Sequence, residues 1–198
     1  MSQSSAAQDF VANVQAPDGV VASLVQEGQE GMDVLPVPTR KSERWKYSPI
    51  TAMLAHPVAL APAPDGWPAD VEPNPVPGLE AYRIVLVNGY VVPEACDLPV
   101  ADGVVCMPWR HAVDEGHLAN LDWSGYHRRE WVGALHAAYV QDGMFLYVDK
   151  RVTLDRPVLV HHHTTGDHAA ACPRHRIVVG DQAHAEVCLL YTSPSPRD

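Results

Sequence analysis

The chain has 198 residues, enough for one domain or two small ones and for a real hydrophobic core. Hydrophobic residues make up 46% of it, yet no run approaches the ~20 consecutive apolar residues that span a bilayer, so a soluble protein is expected. Lys plus Arg total 14 against 24 Asp plus Glu; the resulting charge of −10 repels phosphate backbones and argues against a nucleic-acid partner.

Residues 1–8 are small and polar, without the cationic start and apolar block of a secretory signal, which makes a cytoplasmic location the expectation. Phe10, Val11 and Val14 then fall at helical spacing, predicting a short amphipathic helix over 6–14 that Pro17-Asp18-Gly19 ends. Val20, Val21, Leu24 and Val25 repeat the spacing and predict a second helix stopping at the glycines of 28–31. Residues 57–77 are dense in proline, which removes backbone donors and fixes φ, so the stretch reads as a linker or an irregular surface wrap.

After Gly78 the apolar run 82–87 is closed by Asn88-Gly89, a pair suited to a tight hairpin turn, with 90–93 returning as its partner. A short strand is predicted over 103–107, ahead of Pro108. Ser124 is a candidate cap for a helix whose inner face carries Trp131, Leu135 and Ala138. From Gly143 onward the segments are short and β-rich: 144–148, 158–162, 177–179 and 185–190. The pattern fits both an antiparallel sandwich and the stacked coils of a β-solenoid. Cys96, Cys106, Cys172 and Cys188 lie far apart and form no CxxC pair, so reduced thiols are expected.

Three stretches carry a resemblance. LPVPTRKSERWKYS at 35–48 is similar to a "LPTRKxExWKYT" pattern, departing from it by the extra Val37-Pro38; LVNGY at 86–90 matches a "VNG" hairpin; and ALHAAYVQDGMFLYVDKRVTLDRPVLVHHHTTG at 134–166 looks like "ALNxAxxxDGxxxxVxxxxxLxxPIxLxHxxTG". Residues 174–180 and 183–187 continue the last. In this order they resemble the SufB/SufD family of iron–sulfur cluster assembly scaffold subunits, the short amino-terminal region favouring its SufD branch over a SufB-like paralogue. The resemblance implies a mainly β fold with an α-helical N-terminal region, leading into the start of a right-handed parallel β-helix. It also implies a non-catalytic scaffold that acts with a SufB-like scaffold subunit and, through a C-terminal region, a SufC-like ATPase, with an iron–sulfur cluster held transiently in the assembled complex. The organisation that follows is a helical and Pro-rich region at 1–78, a mixed strand and helix region at 79–142, and first β-helix coils at 143–187. Residues 188–198 break the strand pattern and read as translated adapter sequence, so the chain is expected to be an N-terminal fragment with a non-native tail.

His161, His162 and His163 with His168, Cys172, His175, His184 and Cys188 form the richest metal-like set, of a type iron or zinc would suit, with His161, His163, Cys172 and His175 the candidates. On a strand, His161 and His163 point to one face and His162 to the other, so convergence on one ion needs help from another strand. Parallel stacking is what would bring His175 or His184 near. Arg40, Lys41, Arg44 and Lys46 surround Trp45 and Tyr47; a buried Trp45 under cationic stems predicts a structural docking motif in preference to a base- or anion-binding one. Asp114 and Glu115 read as solvated surface. No GxxxxGK[ST], GxSxG or HExxH occurs, so any ATP hydrolysis belongs to a partner. The rivals to the scaffold are a β-solenoid enzyme acting on an acidic polysaccharide, for which rows of basic and acidic residues are wanting, and a metal-storing histidine module.

Overall fold

A computed structural model describes residues 20–39, 41–48, 50, 54, 59–68, 76–118, 125–166 and 169–192. The predicted helix over 6–14, Arg40, part of the Pro-rich stretch, Ser124, His168 and residues 193–198 lie outside the described residues. Two compact units emerge, and they interleave along the sequence. One comprises Met1–Leu60, Leu118–Val140 and Asp167–Cys172; the other comprises Ala61–His117, Gln141–Gly166 and Pro173–Asp198.

The first unit is built on two helices, α1 (Val20–Val34) and, later in the chain, Trp131–Ala138. Helix α1 runs through Gly28 and Gly31 instead of stopping at them. The reason is packing: a Cβ built on Gly28 would lie 2.4 Å from Ala138 N and 2.7 Å from Ala134 O, and one on Gly31 would lie 2.9 Å from Ala134 Cβ. Small residues on both helices let the backbones touch, and this contact offsets the ~1 kcal/mol by which glycine disfavours a helix interior. Trp131, Leu135, Ala138 and Tyr139 form the apolar centre of the unit, with Met32, Leu35, Val37, Leu60 and Cys172 against it. The predicted inner face of the later helix is thus observed, although the helix begins at Trp131 with Glu130 as its N-cap. A short parallel pair, β1 (Ala59–Leu60) with Ala169–Ala170, completes the unit.

The second unit holds two sheets. In one, β2 (Tyr82–Val87) pairs antiparallel with β3 (Tyr90–Val91) across the Asn88-Gly89 turn, whose φ values of 54° and 86° are those this residue pair tolerates. The return strand is only two residues long because Pro93 opens a 3-10 turn, Pro93–Ala95. The other sheet begins with β4 (Val104–Pro108), followed by a short helix α2 (Trp109–Asp114). With the later helix numbered α3 (Trp131–Ala138), the remaining strands are β5 (Met144–Val148), β6 (Val158–His163), β7 (Ala169–Ala170), β8 (Arg176–Val179) and β9 (Val187–Thr192).

The sheet orders are β3-β2-β6-β9 and β4-β5-β8. Within them β2–β6, β6–β9 and β5–β8 are parallel, and only β2–β3 and β4–β5 are antiparallel. The strands β5, β6, β8 and β9 fall alternately in the two sheets, with β7 in the separate pair with β1, and parallel register partners recur about 30 residues apart, as with Phe145 and Arg176 or Val158 and Val187. An antiparallel sandwich, the first of the two arrangements the pattern allowed, is not what these pairs form. Between the sheets lies a core of Tyr82, Ile84, Leu86, Met144, Leu146, Val148, Leu154, Val158 and Val160. Strands buried on both faces explain why 144–148 and 158–160 read as continuous apolar runs instead of alternating ones. The strand pattern does not break at Cys188. Strand β9 runs in register with β6 to Thr192, because the open edge of β6 accepts backbone hydrogen bonds from any extended segment and Cys-Leu-Leu-Tyr-Thr favours extension.

Candidate functional site

The alternation of side chains along β6 sorts its three histidines. Val158, Val160 and His162 continue one row that faces the core between the sheets, with Leu86 opposite His162 on β2. His161 and His163 face the other way, beside Val85 and Val87. His162 is buried and meets His175, the residue that leads into β8, with Nε2 to Nε2 at 3.1 Å. The Met144 N–H donates to His175 Nδ1 at 3.0 Å, which makes that nitrogen an acceptor and puts the ring proton on Nε2. His175 therefore donates to His162, which must be neutral at Nε2 to accept. Burial, helped by the neighbouring His161, pushes the His162 pKa down to about 4, in agreement with that neutral form. The chain Met144 to His175 to His162 joins the start of β5, the entry to β8 and the end of β6. The sequence missed His162 as the partner of His175, since β6 and β8 belong to different sheets and only the packing of one sheet on the other brings the two rings together.

On the opposite face of β6, the Trp67 indole lies 6.0 Å from the His161 ring and 6.1 Å from His163, tilted by 63° and 56°. His161 Nε2 and His163 Nδ1 both approach Thr192 Oγ1, at 2.8 and 3.1 Å. The other candidates lie elsewhere. Cys172 packs in the helical unit against the Trp131–Tyr139 cluster, where burial pushes its thiol up to about 11, so it is held protonated and unreactive. Cys106 is likewise raised to about 12 by burial. His184 sits 3.7 Å from Glu186 with both side chains exposed, and Cys188 is exposed. Among the described residues, no group of three or more His, Cys, Asp or Glu side chains gathers to hold a metal ion. Glu115 carries His111 and His117 at 3.4 and 3.1 Å on the surface.

A second constellation surrounds Asp142-Gly143. Both oxygens of the buried Asp142 carboxylate accept backbone N–H groups, from Arg110 at 3.1 Å and Val91 at 3.2 Å, while its carbonyl accepts the Arg174 N–H at 2.7 Å. Burial raises the Asp142 pKa and these amides oppose it. Gly143 has φ of 155°, and a Cβ there would lie 1.7 Å from Arg174 O, so only glycine fits. The VNG turn and the TTG that follows β6 dock on each other: Asn88 Nδ2 donates to Thr165 Oγ1 at 3.1 Å, and Thr165 N–H donates to Asn88 Oδ1 at 2.9 Å. The SufBD protein N-terminal region, as a family model, matches residues 15–160, well over half of the chain. The chain belongs to the SufB/SufD family. Its role therefore lies in iron–sulfur cluster assembly. No curated protein matches the chain.

The residues that carry the SufB/SufD resemblance are thus connectors: turn, strand entry and loop are tied to one another by polar groups and glycine. The WKY stretch behaves differently from expectation. Trp45, in the 3-10 turn Glu43–Trp45, is half-buried instead of buried, and Tyr47 is 87% exposed with Lys46 Nζ 5.3 Å from its ring. Docking of the segment runs through Arg44, whose guanidinium pairs with Glu130 at the start of α3. A surface turn of three residues has no apolar depth in which to sink an indole, which is why the aromatic side chain stays partly in water. Among the described residues no helix is long and apolar enough to cross a membrane.

Proposed function

We propose that this chain is a SufD-type, non-catalytic scaffold subunit that works with a SufB-like subunit and a SufC-like ATPase, carrying an iron–sulfur cluster only transiently as cargo of the assembled complex. The observation that carries the reading is the SufB/SufD family match over residues 15–160. The fold proposed with it is the start of a right-handed parallel β-helix. Strands that alternate between two sheets and pair in parallel about 30 residues apart support it, since each return then stacks one coil on the last. Right-handedness follows from the rule that parallel crossovers within a sheet are right-handed in about 98% of cases. The inward rows also run on to Ile177 and Val179 on β8 and to Leu189 on β9, apolar side chains 41%, 44% and 47% exposed that a further coil would cover. A cytoplasmic location belongs to the same proposal.

The test is co-expression of the gene product with SufB-like and SufC-like subunits, followed by affinity purification and an ATPase assay. A stable complex whose ATP hydrolysis depends on the SufC-like partner supports the scaffold. Pairing with a SufD-type subunit in place of a SufB-type one would reassign the chain to the SufB-like branch. A protein that ignores every partner would sink the proposal.

A further inference from the structure

We propose that His161 and His163 form a two-imidazole binding site for a first-row transition-metal dication, of which Zn2+ and Co2+ are the working examples. Two histidines at i and i+2 on a strand share a face, and here their ring nitrogens do more than share it. His161 Nε2 and His163 Nδ1 approach one point, at 2.8 and 3.1 Å, marked by Thr192 Oγ1. That hydroxyl has one proton, which it directs to the His162 carbonyl at 3.3 Å, so both imidazoles offer it N–H. With the Thr192 side chain turned away, a cation between the two rings takes the two lone pairs once each ring carries its proton on the other nitrogen, His161 on Nδ1 and His163 on Nε2. Metal–nitrogen bonds of about 2.0–2.1 Å then require each ring to close in by roughly 1 Å. Water completes the coordination, entering past His163, which is half-buried, whereas His161 is buried.

Chemistry narrows the ligand. Imidazole nitrogen suits Zn2+, Co2+, Ni2+ and Cu2+, whereas Ca2+ and Mg2+ want oxygen. His162 does not join, because its ring lies on the other face and accepts from His175. Nor is the His162–His175 contact a second half-site, since the Met144 N–H occupies His175 Nδ1 and a metal on Nε2 would need a proton there. Trp67 gives the site a built-in reporter, with its ring about equally far from both histidines. The inference stands on this geometry whether or not the scaffold reading holds.

The test is calorimetric titration of the full chain with Zn2+, and with Co2+ while Trp67 fluorescence is followed against a Trp67→Phe control. One saturable ion per chain is expected, with Co2+ quenching that Trp67→Phe abolishes. His161→Ala and His163→Ala each weaken binding by more than about tenfold, the scale on which even an outer-shell partner of a metal ligand counts. His162→Ala and His175→Ala keep the wild-type affinity, and Thr192→Ala keeps or tightens it. If His161→Ala fails to fold by circular dichroism, His163→Gln at the half-buried position decides. Absence of saturable binding, equal losses in all four histidine variants, wild-type affinity in the His163 variants, or loss of binding in Thr192→Ala would each overturn the proposal.

Discussion

The helical unit and the β unit are held together by opposite means. In the helical unit α1 and α3 meet through an absence of side chain: Gly28 and Gly31 face Ala134 and Ala138, and the backbones come within van der Waals contact. One polar anchor there is the half-buried Glu27, whose Oε2 accepts the Nε2–H of the buried His127 at 2.7 Å and the Arg128 guanidinium at 2.7 and 2.9 Å, which holds the Glu27 pKa below the usual range. The β unit instead fills its centre with large side chains and spends its polar groups inside, on Asp142, on Asn88 with Thr165, and on His162 with His175. Interior polar groups are safe only when each is satisfied. The difference predicts that the β unit fails when a connector is altered and the helical unit when volume is added.

The largest effect is expected at Gly143. Gly143→Ala places a methyl where the Arg174 carbonyl already lies, 1.7 Å away, on a φ of 155° that alanine resists. No side chain can swing aside, so β5 and β8 must separate. A loss above about 4 kcal/mol is expected in urea denaturation, or no folded protein at all. A variant of near wild-type stability would show that the connector is not what registers these strands.

The next effect is a pH dependence. His162 has its folded pKa depressed to about 4, against 6.5 for the free side chain. The sign follows: the unfolded chain takes up a proton below about 6.5 and the folded one does not, so stability is full above that pH and drains as pH falls toward 4, by on the order of 3 kcal/mol. Carboxylates contribute in the lower part of that window. The measurement is therefore the difference between wild type and His162→Phe, whose stability should lie flatter from pH 6.5 to 4.5. Parallel curves for the two proteins would show that His162 is not the neutral acceptor of His175.

Smaller again is Gly28→Ala. On an exposed helix face the change would gain up to ~1 kcal/mol from propensity. Here the new methyl meets backbone atoms of Ala138 and Ala134, and a loss of about 2 kcal/mol is expected, within the usual range for overpacking. The sign alone is diagnostic: a more stable variant in thermal unfolding would mean that α1 and α3 do not pack through this face.

These outcomes mark where the sequence was readable. Apolar runs at 82–87, 144–148 and 158–160 announce their strands, and Asn88-Gly89 announces its turn, because each signal is local. Trp131, Leu135 and Ala138 announce a helix face for the same reason. Gly28 and Gly31 mislead, since a glycine that ends a helix and one that admits a neighbouring backbone are the same letter. The histidines are half legible. Strand alternation separates His162 from His161 and His163, but the partnership of His162 with His175 depends on how two different sheets, one holding β6 and the other β8, pack on each other. Cys172 shows the same limit, for its spacing beside His175 carries no sign that it packs, half-buried, against the cluster of Trp131 and Tyr139.

The smallest expected effect tests what the WKY stretch does for the helical unit. Among the described residues its ion pair with α3 is Arg44 with Glu130, and the Arg44 side chain is 76% exposed, so the pair is a surface salt bridge whose contribution is about 0–1 kcal/mol. Arg44→Ala should therefore lower stability by no more than about 0.5 kcal/mol at low salt and by nothing measurable at high salt, where screening removes the attraction. Tyr47→Ala, at a position 87% exposed, should change stability by less still. Should either substitution leave unfolding untouched yet weaken assembly with a SufB-like or SufC-like partner, the stretch docks a second protein; if Arg44→Ala instead destabilises the chain by several kcal/mol, the segment is a structural clamp on α3.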